Sequence, residues 1–304
     1  MRGSSIEYSY RALKYVGSFF EAPSHSSIPT DVVSNLMCPH RRATPAVRRG
    51  RLCWIGFSTF LIRSYEDIVT NFMMTIAPPA VTTALYFVVF GTLIGQHIGS
   101  VNGLSYVQYI APGLIMLPII TGSYGQAGLA FVVAKLHRQI DEQLVSPQPS
   151  WMIVVNYVSG GSLRGIIVGV VAGIITLLFT RASVRHVFMT IAVLLLVSLV
   201  SSLAGFMNGL FAKSLDQVTW VSSFVLTPLT YLSGIFYSVS MLPAWAQKLS
   251  LADPIFHMVN LFRYSMFGTS DAHLGISVFV MLIATFAMFA IASELMERGF
   301  GIRD

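Results

Sequence analysis

The sequence predicts an all-α polytopic membrane protein with six transmembrane helices. Hydrophobic residues make up 54% of the 304 residues and charged residues only 11%, whereas a soluble domain carries about 25% charged residues. Residues 68–134 contain no charged side chain. This stretch is long enough to cross a bilayer twice, because a spanning helix needs about 20 apolar residues and lipid offers no partner to backbone amides outside a helix. The charge-poor segments that define the six expected spans are residues 76–95, 109–134, 163–180, 187–211, 218–237 and 274–293.

The distribution of basic residues predicts the orientation. Nine of the 19 Lys and Arg residues precede the first span. With the N-terminus inside, the inner parts carry 14 of them and the outer loops four, and Arg164 is left in or near the third span. Because Lys and Arg are enriched in cytoplasmic loops, both termini are expected in the cytoplasm. The net charge of +6 is thus explained by topology, and no nucleic-acid partner is predicted.

The part of the chain before the first span is expected to have two sections. Residues 1–52 are rich in Ser, Pro and Arg without sustained periodicity, which predicts a disordered cytoplasmic extension before a six-span domain at 53–304. Residues 53–76 place apolar side chains at three- and four-residue spacings, which predicts an amphipathic helix. We expect it to lie along the inner membrane surface; a helix in a soluble core is the alternative. Pro78 and Pro79 are expected to break it and open the first span.

The loop between the second and third spans predicts a short charged helix at residues 135–146. Apolar side chains recur every four residues and so share one face of a helix, and the charged side chains lie beside that face. The apolar members are Leu136, Ile140 and Leu144, and the charged ones include Arg138, Asp141 and Glu142. The alternative is a solvated connector, although a connector needs no apolar stripe and can be shorter.

The third span combines a row of glycines with one arginine. Gly161, Gly165, Gly169 and Gly173 recur every four residues, which predicts a close helix–helix contact in lipid, either within one subunit or between two. Arg164 lies among them and is either a functional group inside the membrane or a side chain that reaches the headgroups. The apolar run at residues 153–162 leaves open an earlier start of the span or an interfacial elbow before it.

Residues 240–268 predict two short amphipathic helices that form a half-inserted hairpin at the outer face. Ser240 is expected to cap the first helix, and the second places apolar residues on one stripe. We expect Lys248, His257 and Arg263 to face water or headgroups. The hairpin residues singled out are Pro243, Trp245, Pro254 and Arg263.

The chain lacks the motifs of an ATPase or a metalloenzyme. None of its four lysines follows a glycine, so no P-loop is present, and the seven histidines are scattered, which predicts no metal site. We therefore expect a chain that is not an enzyme and binds no cofactor itself.

Several stretches resemble the permease subunits of type-2 ABC exporters, in the YadH-like branch. The stretches "PPAVTTALYFVVFGTLIG", "DEQLVSPQPSW", "GGSLRGIIVG" and "LSGIFYSVSMLP" occur in the order of that family, and the resemblance runs from Trp54 to the end. It implies a multi-pass protein of the bacterial inner (plasma) membrane, which forms a homodimer in membrane lipid with separate P-loop ATPase subunits that bind ATP and Mg²⁺. It also implies that residues 135–146 are the coupling helix in the ATPase cleft. On this resemblance Arg164 lies at the start of the third span, near the interface.

The expected function is therefore that of the membrane subunit of an ATP-driven exporter. Its substrate would be hydrophobic or amphipathic, such as a lipid-linked glycan, a drug or a metabolite. The alternative is a secondary transporter driven by an ion gradient, which needs buried carboxylates within its spans. The six expected spans contain none.

Overall fold

The computed structural model describes residues 46–94, 100–101, 104–145, 148–180, 184–239 and 242–301. Residues 1–45 of the expected extension lie outside these ranges. Residues 46–52, which were expected to be disordered, instead begin the first helix. Arg and Leu in this stretch have high helix propensity, and the amphipathic pattern that follows extends the helix backwards.

The described chain is a bundle of helices with one small hairpin. The helices are α1 (Ala46–Thr70), α2 (Phe72–Val88), α3 (Tyr106–Leu136), α4 (Gln139–Val145), α5 (Ser150–Thr180), α6 (Val187–Phe211), α7 (Leu215–Val221), α8 (Thr227–Leu232), α9 (Ala244–Ala252), α10 (Pro254–Phe267) and α11 (Leu274–Glu297). π-Helical turns at Val89–Ile94 and Ser222–Leu226 extend α2 and join α7 to α8. The strands β1 (Ser100–Val101) and β2 (Leu104–Ser105) pair antiparallel just before α3.

Five helical segments of the described chain are long and apolar enough to cross a membrane. They are Phe72–Gly91, Tyr106–Leu136, Ser150–Thr180, Val187–Phe211 and Leu274–Glu297. The fourth expected span has the bounds that the sequence predicted. The third helix begins at Ser150, so the apolar run at residues 153–162 belongs to one continuous helix, in agreement with the alternative of an earlier start.

The fifth expected span, residues 218–237, differs most from the prediction. The helical segment starts earlier, at Leu215, ends at Leu232 and contains the π-turn in its middle. Pro228 has no N–H to donate to the preceding turn, and the N–H of Thr227 instead reaches back five residues to the carbonyl of Ser222. Gly234 then takes a left-handed conformation (φ 74°), which glycine adopts without steric penalty, and the chain turns away.

The break between α1 and α2 lies at Asn71 and not at the two prolines. Asn71 has φ −101° and ψ 29°, and its side-chain amide donates to the backbone and side-chain oxygens of Asp67. An Asn side chain that bonds the backbone competes with the helix. Pro78 and Pro79 lie inside α2, so the expectation that they open the first span was wrong.

Helix α3 lies at the centre of the bundle and packs against α5 and α6. Tyr109, Met116, Ile119 and Phe131 of α3 are completely buried. By contrast, α2, α6 and α11 keep large apolar side chains on the surface, including Phe188 and Phe286. Such an apolar exterior is expected for helices that face lipid.

Candidate functional site

The expected coupling helix at residues 135–146 is divided into the end of α3 and the separate helix α4. Arg138 takes a left-handed conformation (φ 56°), which is unfavourable for a residue with a Cβ by about 1–2 kcal/mol. Its N–H donates to the carbonyl of Lys135 (3.1 Å). Leu136 therefore belongs to α3, and α4 starts a new direction at Gln139.

Ile140 fixes α4 to the bundle and does not share an exposed face with its neighbours. It is 1% exposed and belongs to a cluster with Phe131, Ile153 and Met296, whereas Leu136 and Leu144 are exposed. The single apolar docking face that the sequence predicted was therefore wrong, because the turn at Arg138 directs Ile140 inward. The exposed side chains of α4 are Asp141, Glu142, Leu144 and Val145.

Lys135 connects the base of α4 to the end of α6. Its Nζ donates to the carbonyls of Gly209 (3.2 Å), Leu210 (3.0 Å) and Ala212 (2.8 Å). These carbonyls have no partner within their own helix, and a cation is stabilised at a helix C-terminus. A cleft of about 630 Å³ lies beside this contact, with Lys135, Arg138 and Asp141 among its lining residues. A second contact joins Gln143 to the hydroxyl of Tyr157 in α5 (3.1 Å).

Three of the four glycines in the predicted row lie against other helices of the same chain. A Cβ at Gly161 would meet Ala127 and Ser202 at 2.8 Å, and one at Gly169 would meet Ile119 at 2.7 Å. A Cβ at Gly165 would overlap the hydroxyl oxygen of Ser123 and lie 3.3 Å from the Cβ of Ser198. Gly173 has open space around it. Within this chain the row therefore packs α5 against α3 and α6 over three positions only.

The crossing of α3 and α6 is built on further glycines. A Cβ at Gly128 would meet the carbonyl oxygen of Gly205 at 2.8 Å, and one at Gly209 would meet that of Gly128 at the same distance. Small residues allow this close backbone approach. The glycine row of α5 was predicted from the sequence, but this crossing was not, although Gly122, Gly125 and Gly128 recur every three residues.

Arg164 lies in the middle of α5, which begins at Ser150. Because this helix of 31 residues is longer than the roughly 20 residues that cross a bilayer, its start does not fix the depth of Arg164, and the interfacial position stays a prediction. Its Nη1 donates to the side-chain oxygen of Gln126 in α3, and its buried Nε has no hydrogen-bond partner. Arg164 also lines a cleft of about 410 Å³ between α2, α3, α5 and α8.

The segment expected to form the outer hairpin contains two helices, α9 and α10. Pro243 precedes the first helix, Trp245 is exposed on it, and Pro254 opens the second. Ser240, the expected cap, lies outside the described residues. The carboxylate of Asp253 caps α10 by accepting from the N–H of Ile255 (2.9 Å). Burial raises the pKa of Asp253 to about 6, against a smaller lowering by this hydrogen bond.

Arg263 and His257 are buried, so the expectation that they face water or headgroups was wrong. Arg263 forms an ion pair with Asp271 (2.6 Å), and these side chains are 1% and 8% exposed. The guanidinium also donates to the carbonyl of Gly234 (2.8 Å) and lies 4.2 Å from the ring centre of Tyr109. His257 contacts the hydroxyl of Ser277 (3.0 Å). Only Lys248 of the three predicted surface residues is exposed.

A comparison with protein families finds one family that matches most of this chain. Residues 56–267 match the family described as ABC-2 type transporter. The chain belongs to the ABC-2 type transporter family. Members of this family are membrane subunits of ABC transporters, and they work with an ABC ATP-binding subunit.

Individual relatives extend this match over most of the chain. The chain is 40% identical over 253 residues to the inner membrane transport permease YadH of Escherichia coli K12, which covers 83% of this chain and 99% of that protein. It is 23% identical over 257 residues to nodulation protein J of Neorhizobium galegae, with 83% and 97% covered. For nodulation protein J of Rhizobium leguminosarum bv. viciae the identity is 23% over 215 residues, with 70% and 83% covered. These findings support a multi-pass protein of the bacterial inner membrane and confirm the predicted resemblance to YadH-like ABC-2 permeases.

Two partners of the predicted site residues in this ABC-2 chain were not foreseen. Gln126 is a single amide in an apolar stretch, and Asp271 lies in a loop eight residues after Arg263. No helical periodicity relates either residue to its arginine. A polar residue inside a predicted span was the one available signal for Gln126, since such residues usually bond a neighbouring helix.

Proposed function

We propose that this chain is the membrane-spanning permease subunit of an ATP-driven ABC exporter. Six spans are proposed, in which α7, the π-turn and α8 together form the fifth. Helix α1 lies along the inner surface, and α9 and α10 form a half-inserted hairpin at the outer face. The permease acts as a homodimer with two copies of a P-loop ATPase, which bind ATP and Mg²⁺. It moves a hydrophobic or amphipathic substrate out of the cytoplasm.

The excess of Lys and Arg supports this orientation. The residues before the first span, the α3–α4 junction and Lys213 after α6 carry most of the basic side chains, and these parts belong inside if both termini are cytoplasmic. In this orientation α4 faces the cytoplasm, and α9 and α10 face the outside.

The observation that carries the proposal is the construction of α4. Its exposed surface carries Asp141, Glu142 and Leu144, while Ile140 and the neighbouring Lys135 fix its base to α3, α5 and α6. A solvated connector needs no such anchoring. Force from an ATPase on this surface is therefore passed to three central helices. A partner can shift a conformational equilibrium only through contacts that differ between the two states, and α4 offers those contacts.

Substitutions on the exposed surface of α4 test this assignment. Glu142→Lys and Leu144→Asp change side chains that point away from the bundle, so the permease should remain monodisperse in detergent. Both variants should lose co-purification with the ATPase, because they alter charge and apolar contact in the docking surface. Lys248→Glu is the matched control, since it reverses an exposed charge on α9 and should retain the ATPase. Full ATPase retention by Glu142→Lys and Leu144→Asp would contradict the docking role of α4.

Ile140→Asp provides a contrasting variant. It places a carboxylate among buried apolar side chains, which is strongly unfavourable. We therefore expect loss of the folded permease itself, seen as aggregation during size-exclusion chromatography, and not the selective loss of ATPase binding.

The ion-gradient alternative has less support in the spans. Within the five candidate spans, the acidic residues are Glu294 and Glu297, both exposed at the end of α11. In the proposed fifth span, Asp216 is exposed in the first turn of α7. Asp271 is buried but already paired with Arg263. None of these arrangements offers a carboxylate inside a span that could bind and release a coupling ion.

A further inference from the structure

We propose that the cleft around Arg164 binds the anionic group of an amphipathic substrate. The proposal rests on the exporter function proposed above and narrows its substrate class to anionic amphiphiles. The shared chemistry is an oxyanion, such as a phosphate or a carboxylate, attached to an apolar tail.

The cleft has the size and position of a ligand site. Its volume of about 410 Å³ falls within the range of roughly 300–1,000 Å³ typical of small-molecule sites. Its walls come from α2, α3, α5 and α8, so it is formed by four of the helical segments that the proposal places in the membrane. A ligand there lies within the bundle and not in a surface loop.

The guanidinium of Arg164 has unused hydrogen-bonding capacity. Nη1 donates to Gln126, but the buried Nε has no partner. Asp67 attracts Arg164 electrostatically, yet no carboxylate among the described residues lies within the 4.0 Å distance of an ion pair with it. A buried N–H without an acceptor is unfavourable. An oxyanion can accept from the planar fork of donors that arginine presents.

The rest of the lining selects an apolar tail more than a neutral polar group. Arg164 is the one charged side chain among the described lining residues, and Leu114, Leu117 and Pro118 line the α3 wall. The hydroxyls of Thr82 and Thr83 donate within α2, to the carbonyls of Pro78 and Pro79 (both 2.8 Å). Their protons are therefore occupied, and donors for a sugar headgroup are few on this wall.

Two glycines on α3 provide a matched test. A Cβ at Gly122, which lines the cleft, meets nothing within 4 Å, and the same is true of Gly125, which lies outside the lining. Gly122→Leu should therefore fill the cleft without a clash in the chain. Gly125→Leu adds the same side chain one turn away and leaves the cleft open.

The experiment uses the permease with its ATPase in phosphatidylcholine nanodiscs and three radiolabelled probes with one tail. These are dodecyl phosphate, neutral dodecyl glucoside and cationic dodecyltrimethylammonium. We expect wild type to bind dodecyl phosphate at least about tenfold more tightly than the other two, which corresponds to about 1.4 kcal/mol. Arg164→Gln should remove this preference, and Arg164→Lys should keep part of it. Arg185→Gln, which removes an exposed arginine elsewhere, should change nothing.

Gln126→Glu separates a binding role of Arg164 from a folding role. The substitution keeps Arg164 and supplies an internal carboxylate next to it, so it should also abolish the preference for dodecyl phosphate. Gly122→Leu should lower binding of all three probes, and Gly125→Leu should not. If Arg164→Gln aggregates, Gln126→Glu and Gly122→Leu decide the matter.

ATP hydrolysis distinguishes a transported amphiphile from a bound lipid headgroup. Dodecyl phosphate should stimulate hydrolysis by wild type and by Gly125→Leu, but not by Gly122→Leu. Binding of dodecyl phosphate without stimulated ATP hydrolysis would identify a static headgroup site and overturn the substrate assignment. Wild type that binds the three probes equally well would also overturn the assignment. In either case, co-purification of the ATPase with wild type would still support the role of this chain as an ABC permease subunit. Its loss from wild type would contradict the proposed function instead.

Discussion

The charged residues at the two ends of the helical bundle differ in burial. At the end that carries α10, Arg263 and Asp271 are buried and paired, and Tyr109 covers the guanidinium. At the end that carries α4, Asp141 and Glu142 are exposed. Both pairs lie between predicted spans in the sequence. The difference teaches that a charge in a connecting segment indicates solvent exposure only where no other segment covers it.

The buried ion pair between Arg263 and Asp271 also stabilises contacts between several segments of the chain. Arg263 joins α10 to the carbonyl of Gly234 after α8 and to Asp271 before α11. Asp271 accepts in addition from the hydroxyl of Tyr109 in α3 (2.7 Å). One ion pair therefore connects four parts of the chain: α3, the turn after α8, α10 and the segment before α11. Exposed acids on α4 have no such internal role, which leaves them available to a partner.

The largest expected effect follows from removing one member of the buried pair. Arg263→Leu leaves the carboxylate of Asp271 without its cation, and breaking a buried ion pair in this way costs about 3–5 kcal/mol. Thermal unfolding of the purified permease in detergent should therefore shift to a clearly lower temperature. The double variant Arg263→Leu, Asp271→Asn should recover part of the loss, because it removes the unpaired charge.

The exposed pair of α11 is the control for this prediction. Arg298 and Glu294 lie 2.7 Å apart, and their side chains are 73% and 57% exposed. Arg298→Leu should change stability by less than about 1 kcal/mol, as is usual for exposed pairs. If Arg263→Leu and Arg298→Leu lowered the unfolding temperature equally, burial would not explain the difference in stability between the two ion pairs.

The glycine row of α5 allows the same comparison within one helix. Gly169 faces Ile119 and Leu194, whereas Gly173 faces open space. Gly169→Leu should destabilise the permease, because overpacking typically costs about 1–3 kcal/mol. Gly173→Leu should not destabilise this chain, since a Cβ there meets nothing within 4 Å and leucine is a better helix former than glycine. Unfolding temperatures and the dimer fraction on native gels measure both.

A loss of dimer by Gly173→Leu with unchanged unfolding temperature would sharpen the comparison. It would show that the row contacts two different neighbours: the same chain at its first three positions, and a second copy at the fourth. Normal stability of Gly169→Leu would instead show that α5 can move away from Ile119 at little cost.

Sequence patterns predicted the spans much better than the connecting segments. A span is a long composition signal, and the segment Val187–Phe211 was predicted with the bounds that the structure has. The turn at Arg138 has no such signal, because a single non-glycine residue takes a left-handed conformation. That turn reverses the exposure of Ile140, so an apolar stripe assigned to a partner is partly used within the chain.

The buried arginine at the α10 end was missed for a different reason. The predicted apolar stripe of α10 is buried along its length, at Ile255, Met258, Val259, Phe262 and Met266. A stripe predicts one buried face and an exposed remainder. Helix α10 is instead covered on several sides by α3, α6 and α11, and this coverage is a property of the tertiary structure that no local periodicity contains.

The smallest expected effect concerns Asp253, whose position between α9 and α10 makes the stability of this end depend on pH. Its pKa is raised to about 6 from an ordinary value of 3.8, chiefly by burial, and its Oδ2 has no hydrogen-bond partner. Between these two values the folded state holds a proton that the unfolded state releases. The free energy of unfolding therefore falls as the pH rises from about 4 to about 6, and the loss remains at higher pH. We expect a decrease of a few degrees in the unfolding temperature over this pH range.

The substitution Asp253→Asn tests this pH dependence. It preserves the cap, since Asn and Asp cap helices equally well, and it removes the titrating group. This variant should flatten the pH profile between about 4 and 6 and be more stable than wild type at pH 7. Asp253→Ala loses the cap as well and should be less stable than Asp253→Asn at every pH, by about 1 kcal/mol. Parallel pH profiles for wild type and Asp253→Asn would show that Asp253 is not the group that titrates.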